Sequence, residues 1–101
     1  MNTVLRKRIE ILADAPLLPR LVEALAQCGI NGHTVLPAIS GVGQTGSWSE
    51  DRLTGTSKLL LMAIASDDHA ALLVEKLAPL LDSHRLLLTV SLVDVVRGDR
   101  F

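Results

Sequence analysis

Tyrosine is absent from this chain of 101 residues, and phenylalanine and tryptophan occur once each, as Phe101 and Trp48. Any core is therefore aliphatic, built from Leu, Ile, Val and Ala. A single cysteine, Cys28, excludes an internal disulfide and suits a reducing compartment. Cys28 has no CxxC partner, and His33, His69 and His84 stand at no metal-ligand spacing, which argues against a metal centre. No apolar run nears the ~18 residues of a membrane span. The first residues carry Arg6, Lys7, Arg8 and Glu10 where a secretion signal needs an apolar stretch. Charge of either sign is also not in excess. The net charge is −1, without the basic surface that general nucleic-acid binding requires, and Arg6-Lys7-Arg8 is too short a run to supply one. There is no Walker A motif, no glycine fingerprint opening a helix and no elbow motif around a serine. These absences point to a cytoplasmic protein that binds no nucleic acid and is not an enzyme.

What is present is enough apolar material for one compact domain: 49% of residues are hydrophobic and 21% charged. Residues 4–13 end in alternation, Ile9 and Ile11 against Arg8 and Glu10, which predicts a strand. Asp14 offers a helix cap and Pro16 suits a first helical turn, although Pro19 blurs the helix start. Leu18, Leu21, Val22 and Leu25 then follow helical spacing, and Gly29 ends that helix. His33 to Ile39 predicts a second strand, with Pro37 assigning part of it to a sheet edge or an end. Lys58 to Ala65 predicts a third strand. Ser66, Asp67 and Asp68 cap a second helix with an apolar face of Ala70, Leu73, Val74, Leu77 and Leu81, and Pro79 is expected to disturb its last turn. After a turn at Asp82-Ser83-His84, residues 85–96 predict a fourth strand.

The order βαββαβ is that of the ferredoxin-like α+β sandwich. Two helices cover one face of a four-stranded sheet, and an exposed second face should be polar. Instead, Leu59-Leu60-Leu61-Met62-Ala63-Ile64 and Leu86-Leu87-Leu88 are apolar on both faces. A wet second face would expose a larger apolar patch than a soluble monomer tolerates, so the pattern predicts an oligomer, dimeric or trimeric.

Between the second and third strands, residues 40–57 hold four of the seven glycines and many hydroxyls, with no periodicity. So long a loop in a compact domain tends to be functional. Its root, Ser40-Gly41-Val42-Gly43-Gln44, lets backbone approach a ligand and present successive N–H groups to an anion. Arg85, Arg97 and Arg100 suit phosphate recognition, as does Lys58 at the other root of the loop; solvated strand ends are the plainer reading of all four. Trp48, in mid-loop, either anchors a partner or folds back on its own protein.

The segment Gly29-Ile30-Asn31-Gly32-His33-Thr34-Val35 resembles the entry into the second strand of P-II signalling proteins. At nearly the family spacing, Gly41-Val42-Gly43-Gln44 is similar to the base of that family's long T-loop. Lys58 stands where the family has a lysine after the loop, and Asp94-Val95-Val96-Arg97-Gly98-Asp99-Arg100 resembles its basic C-terminal strand. The resemblance spans essentially the whole chain, residues 1–101, with a T-loop at about 40–57. It implies a homotrimer with adenine-nucleotide sites in the clefts between subunits. By position, Thr34 and Val35 would lie near the adenine, Ser40, Gly41, Val42, Gly43 and Gln44 would line base and phosphates, and Lys58, Arg85, Arg97, Gly98 and Arg100 would address phosphate.

Two departures refine this. Without tyrosine, the tyrosyl uridylylation known in the core family is impossible. The family's glycine-rich turn before the last strand is reduced to Asp82-Ser83-His84-Arg85, which favours ADP or AMP over ATP. The chain is most similar to the PII-like branch linked to inorganic-carbon uptake and carboxysomes. That similarity implies bicarbonate beside the nucleotide and a protein partner, such as a transporter, docked by the T-loop. The alternatives are a CutA-like trimer for divalent-metal tolerance, which shares the architecture but needs clustered ligands, and a small hydrolase.

Overall fold

The computed structural model describes residues 2–43, 46–49 and 57–96. Its elements in chain order are β1 (Thr3–Asp14), a 3-10 turn at Ala15–Leu17, α1 (Leu18–Gln27), β2 (Thr34–Ala38), β3 (Ser40–Gly43), β4 (Gly46–Ser49), β5 (Lys58–Ala65), α2 (Asp67–Ser83) and β6 (Leu87–Val96). Four strands form one antiparallel sheet in the order β2-β5-β1-β6, and β3 and β4 form a separate two-stranded hairpin. The four-stranded order, with both helices serving as crossovers, is the ferredoxin-like split βαβ arrangement expected from the sequence.

Side-chain alternation sets the layers. Ile9, Ile11 and Ala13 of β1 and Leu59, Leu61, Ala63 and Ala65 of β5 point to the helices and are buried. Leu21, Ala24 and Leu25 of α1 and Ala70, Leu73 and Leu77 of α2 meet them. The opposite sheet face carries Leu12, Leu60, Met62 and Ile64, half-buried, with Leu36 and Leu87 exposed. The two-faced apolar pattern thus has a structural counterpart: one face is sealed by helices, and the other carries these apolar side chains beside the Arg8–Glu10 ion pair and is uncovered. Towards Thr3 and Val96, β1 and β6 run on as a pair beyond the last β5 partner, Ala65.

The helix ends follow local chemistry, with three departures from expectation. Gly29 has φ +77°, and its N–H donates to the Ala26 carbonyl while that of Ile30 donates to Leu25. This is a Schellman closure, with Ile30 and Leu25 both buried. Ser66 caps α2 by accepting from the His69 N–H at 3.2 Å. Asp14, however, does not cap α1, because its carboxylate is held by Lys58. Pro79 does not end α2 early: the helix runs on to Ser83, and since Glu75 and Pro79 are both exposed, the Glu75 carbonyl deprived of an N–H partner stands on the solvent side. The last strand begins at Leu87 rather than Arg85, since Arg85 adopts φ +51°, incompatible with a strand.

Leu61 is fully buried and Leu72 is 52% exposed. Leu61→Ala is expected to destabilise the fold by about 2–5 kcal/mol in chemical denaturation, whereas Leu72→Ala should change it by less than about 1 kcal/mol.

Candidate functional site

Register brings one group of candidates to a single end of the sheet. Lys58 opens β5 and pairs with Asp14 on one side and Ala38 on the other. Ser40 to Gly43 leave that same end of β2 after Ile39. Arg85 lies two residues before Leu87, whose β1 partner is Leu12, so it is level with Asp14 two strands from Lys58. The backbone N–H of Ala15 also donates to Ser57 at 2.9 Å, tying the end of β1 to the entry of β5.

The long loop is not without structure. Within residues 40–57, Ser40–Gly43 and Gly46–Ser49 form a hairpin in the register Ser40↔Ser49, Gly41↔Trp48, Val42↔Ser47 and Gly43↔Gly46. Sequence periodicity could not reveal it, because glycine and serine dominate both strands and neither has a buried face. The cross-strand pair explains its order: the Trp48 indole covers Gly41 so closely that a Cβ there would lie 2.5 Å from Trp48 Cζ2. An aromatic covering a glycine across a strand pair supplies the packing that the glycine lacks. Trp48 therefore folds back on its own chain and is half-buried, which favours the second of the two roles open to it.

Lys58 joins the hairpin to the body. Its Nζ lies 2.8 Å from Asp14 Oδ1 and 5.5 Å from the Trp48 ring centroid. With side-chain exposures of 26% for Lys58 and 53% for Asp14, the ion pair contributes at most about 1 kcal/mol, and the cation–π contact adds ~0.5–1 kcal/mol. Asp14 is the residue sequence reasoning misassigned. It lies 44 positions from Lys58, and only strand register joins the two.

The other candidates stand apart. Thr34, exposed, and Val35, half-buried against the core, begin β2, four residues or about 13 Å from Ala38. Ser40, Val42, Gly43 and Arg85 are exposed, and Gly41 is half-buried. Gln44, Arg97, Gly98 and Arg100 lie outside the described residues. Val96, the last described residue before Arg97, pairs with Thr3, so β6 ends at the corner of the sheet diagonal to the loop root. The separation along β1 from Thr3 to Asp14 is about 36 Å.

Arg85 is the one described non-glycine residue with positive φ. It follows α2 at the position glycine usually takes, where a side chain costs roughly 1–2 kcal/mol. An open depression of about 60 Å³, lined by residues 29–32, Ile64–Ser66 and His69, lies beside the start of β2. Another, of about 350 Å³, lies between the helices and is lined by Arg20, Glu23, Gln27, Lys76, Pro79 and Leu80 among others. Its volume exceeds that of the first, but none of the candidate residues reaches it. Among the described residues, no group of three or more His, Cys, Asp or Glu could hold a metal ion, and no helix is long and apolar enough to cross a membrane.

Comparison with known proteins agrees with this architecture. The family model of nitrogen regulatory protein P-II matches residues 6–100. Among solved structures, CPII, a nitrogen regulatory PII-like protein from Thiomonas intermedia K12 bound to ADP, AMP and bicarbonate, superposes with a TM-score of 0.90 at 20% identity, covering 99% of this chain and 96% of that one. A candidate PII-like signalling protein from Thermus thermophilus gives 0.84 at 26% identity, covering 100% and 99%. The Bacillus subtilis GlnK–ATP complex gives 0.63 at 14% identity, covering 88% and 82%. No curated protein matches the sequence.

Gly41→Ala should expel the indole. The expected result is a red shift of the emission of the only tryptophan, with unchanged far-ultraviolet circular dichroism.

Proposed function

The chain belongs to the nitrogen regulatory protein P-II family, and we propose that it acts as a regulatory trimer that binds ADP or AMP together with bicarbonate in the clefts between subunits. The observation that carries this reading is the family match across residues 6–100. The nucleotide lies along β2, with the adenine near Thr34 and Val35 and the phosphates at Ser40, Gly41, Val42, Gly43 and Gln44. Lys58 and Arg85 approach from the same end of the sheet. Arg97, Gly98 and Arg100 come from the neighbouring subunit, a choice supported by the diagonal placement of Val96 and Thr3 relative to the loop root. The uncovered apolar sheet face is what a trimer interior would bury.

A lower-phosphate nucleotide is favoured by the connection between α2 and β6. The helix continues to Ser83 and the strand starts at Leu87, leaving three residues and no glycine to wrap outer phosphates. The positive φ of Arg85 supports a phosphate role as well: a side chain stands where glycine would cost less backbone strain. The likeness to CPII, whose structure holds ADP, AMP and bicarbonate, supports the choice of ligands. A change of loop conformation on binding, which needs a ligand that contacts one loop state preferentially, would transmit the signal to a protein partner in inorganic-carbon uptake or carboxysome-linked metabolism. This role is one of binding and signalling, not turnover, in the cytoplasm. No described cluster of metal ligands favours the divalent-metal alternative.

Calorimetry with ADP, AMP and ATP, each with and without bicarbonate, tests the reading. The diphosphate or monophosphate should bind, more tightly with bicarbonate, and absence of binding at millimolar concentration of all three refutes it. Arg85→Gly separates function from folding. Stability should stay within about 1 kcal/mol of wild type or rise, because glycine relieves the positive φ, while nucleotide affinity falls. Sedimentation should give the mass of three chains.

A further inference from the structure

We propose that Asp14, Lys58 and Trp48 form a latch that holds the β3–β4 hairpin against the sheet, and that an anionic ligand opens it by taking Lys58 away. The geometry is specific to these side chains. The hairpin shares no sheet with the body, and one contact that fastens it is the Lys58 ammonium over the Trp48 ring at 5.5 Å. That ammonium is itself held by Asp14 at 2.8 Å. The indole in turn lies on Gly41, within the opposite hairpin strand. The chain of contacts therefore runs from β1 through β5 to both strands of the hairpin, with one amine at its centre.

An amine has three donors and one position. A phosphate or bicarbonate that binds Lys58 competes with the Asp14 carboxylate for the same charge and draws the cation off the indole face. Ligand binding must offset the free energy of the latch contacts it breaks. By linkage, a change that weakens the latch without touching the ligand's own contacts strengthens ligand binding, by up to the same factor. Asp14 is thus a positioning residue: it touches no ligand and sets the threshold at which the hairpin is released. Trp48 serves as the pawl of the latch rather than as a partner anchor in the resting state. The ligand half of this inference rests on the nucleotide reading above; the latch itself does not.

Trp48 is the only tryptophan, so acrylamide quenching of its emission reads the latch directly. In ligand-free protein, Lys58→Gln should raise quenching toward that of free tryptophan, and Lys58→Arg, which keeps a cation, should retain protection. Quenching in Lys58→Gln equal to wild type overturns the latch whatever the nucleotide does. In calorimetry, Asp14→Asn should tighten ADP binding about two- to fivefold, the reciprocal of one partly exposed ion pair, and ADP should raise quenching in the wild type. If wild type binds ADP but Asp14→Asn binds it no more tightly and quenching does not respond, the competition is wrong and the nucleotide reading stands. If wild type binds no ADP, the nucleotide reading falls and ligand-driven release falls with it, while the ligand-free comparison still decides whether Lys58 holds the indole.

Discussion

Pairing of β1 with both β5 and β6 through one continuous aliphatic face fixes the position of everything else. Ile9, Ile11 and Ala13 lie under the helices between Leu59, Leu61, Ala63 and Ala65 on one side and Leu88 on the other. A slip of one residue would turn the whole buried set to the wrong face, so core packing excludes it. That register carries Asp14 to Lys58, sets Lys58 beside the exit of β2 and leaves Arg85 level with both. The site at the loop root is thus a by-product of core packing: residues far apart in sequence meet because the strands that hold them cannot slide.

The same register divides the candidate residues. Those that would meet phosphate gather at one end of the sheet, and the chain after Val96 departs from the diagonal corner. A single chain therefore holds only part of the proposed site. The face opposite the helices would favour a neighbouring chain, since Leu12, Leu36, Leu60, Met62, Ile64 and Leu87 would gain by leaving water. On the proposed reading, assembly and ligand binding would be linked properties of one sheet, its outer face buried in the trimer and its ends forming the clefts.

Much of the fold was legible in the sequence because period-2 and period-3.6 patterns coincide with burial. Lys58–Ala65 begins and ends where a continuous apolar run meets its flanking polar residues, and Gly29 and Ser66 end and start helices through local hydrogen bonds. The failures also have local causes. A disturbed last turn at Pro79 is the sequence expectation, yet a proline on the solvent side of a long helix leaves one carbonyl to water and the packed face intact. The hairpin at Ser40–Gly43 and Gly46–Ser49 is not legible in the sequence because it packs through a cross-strand pair, Gly41 with Trp48, which has no periodic signature. Asp14 looked like a cap, as the residue before a proline turn often is; that Lys58 holds it instead depends on strand register, which no local window contains. The family motifs carried the candidate site further than physical pattern did, since glycines at a loop root are ordinary until their order and spacing match a family.

The central claim is that the nucleotide site is built by two chains, with β2 and the loop root of one facing the C-terminal arginines of the next. A crystal structure of the ADP complex tests it most directly. The account predicts a trimer with adenine beside Thr34, phosphates between Gly41 and Gly43 and at Arg85, and Arg97 or Arg100 of the neighbouring subunit closing on the same phosphates. ADP held entirely by residues of one chain, or bound in the groove between α1 and α2, would contradict it.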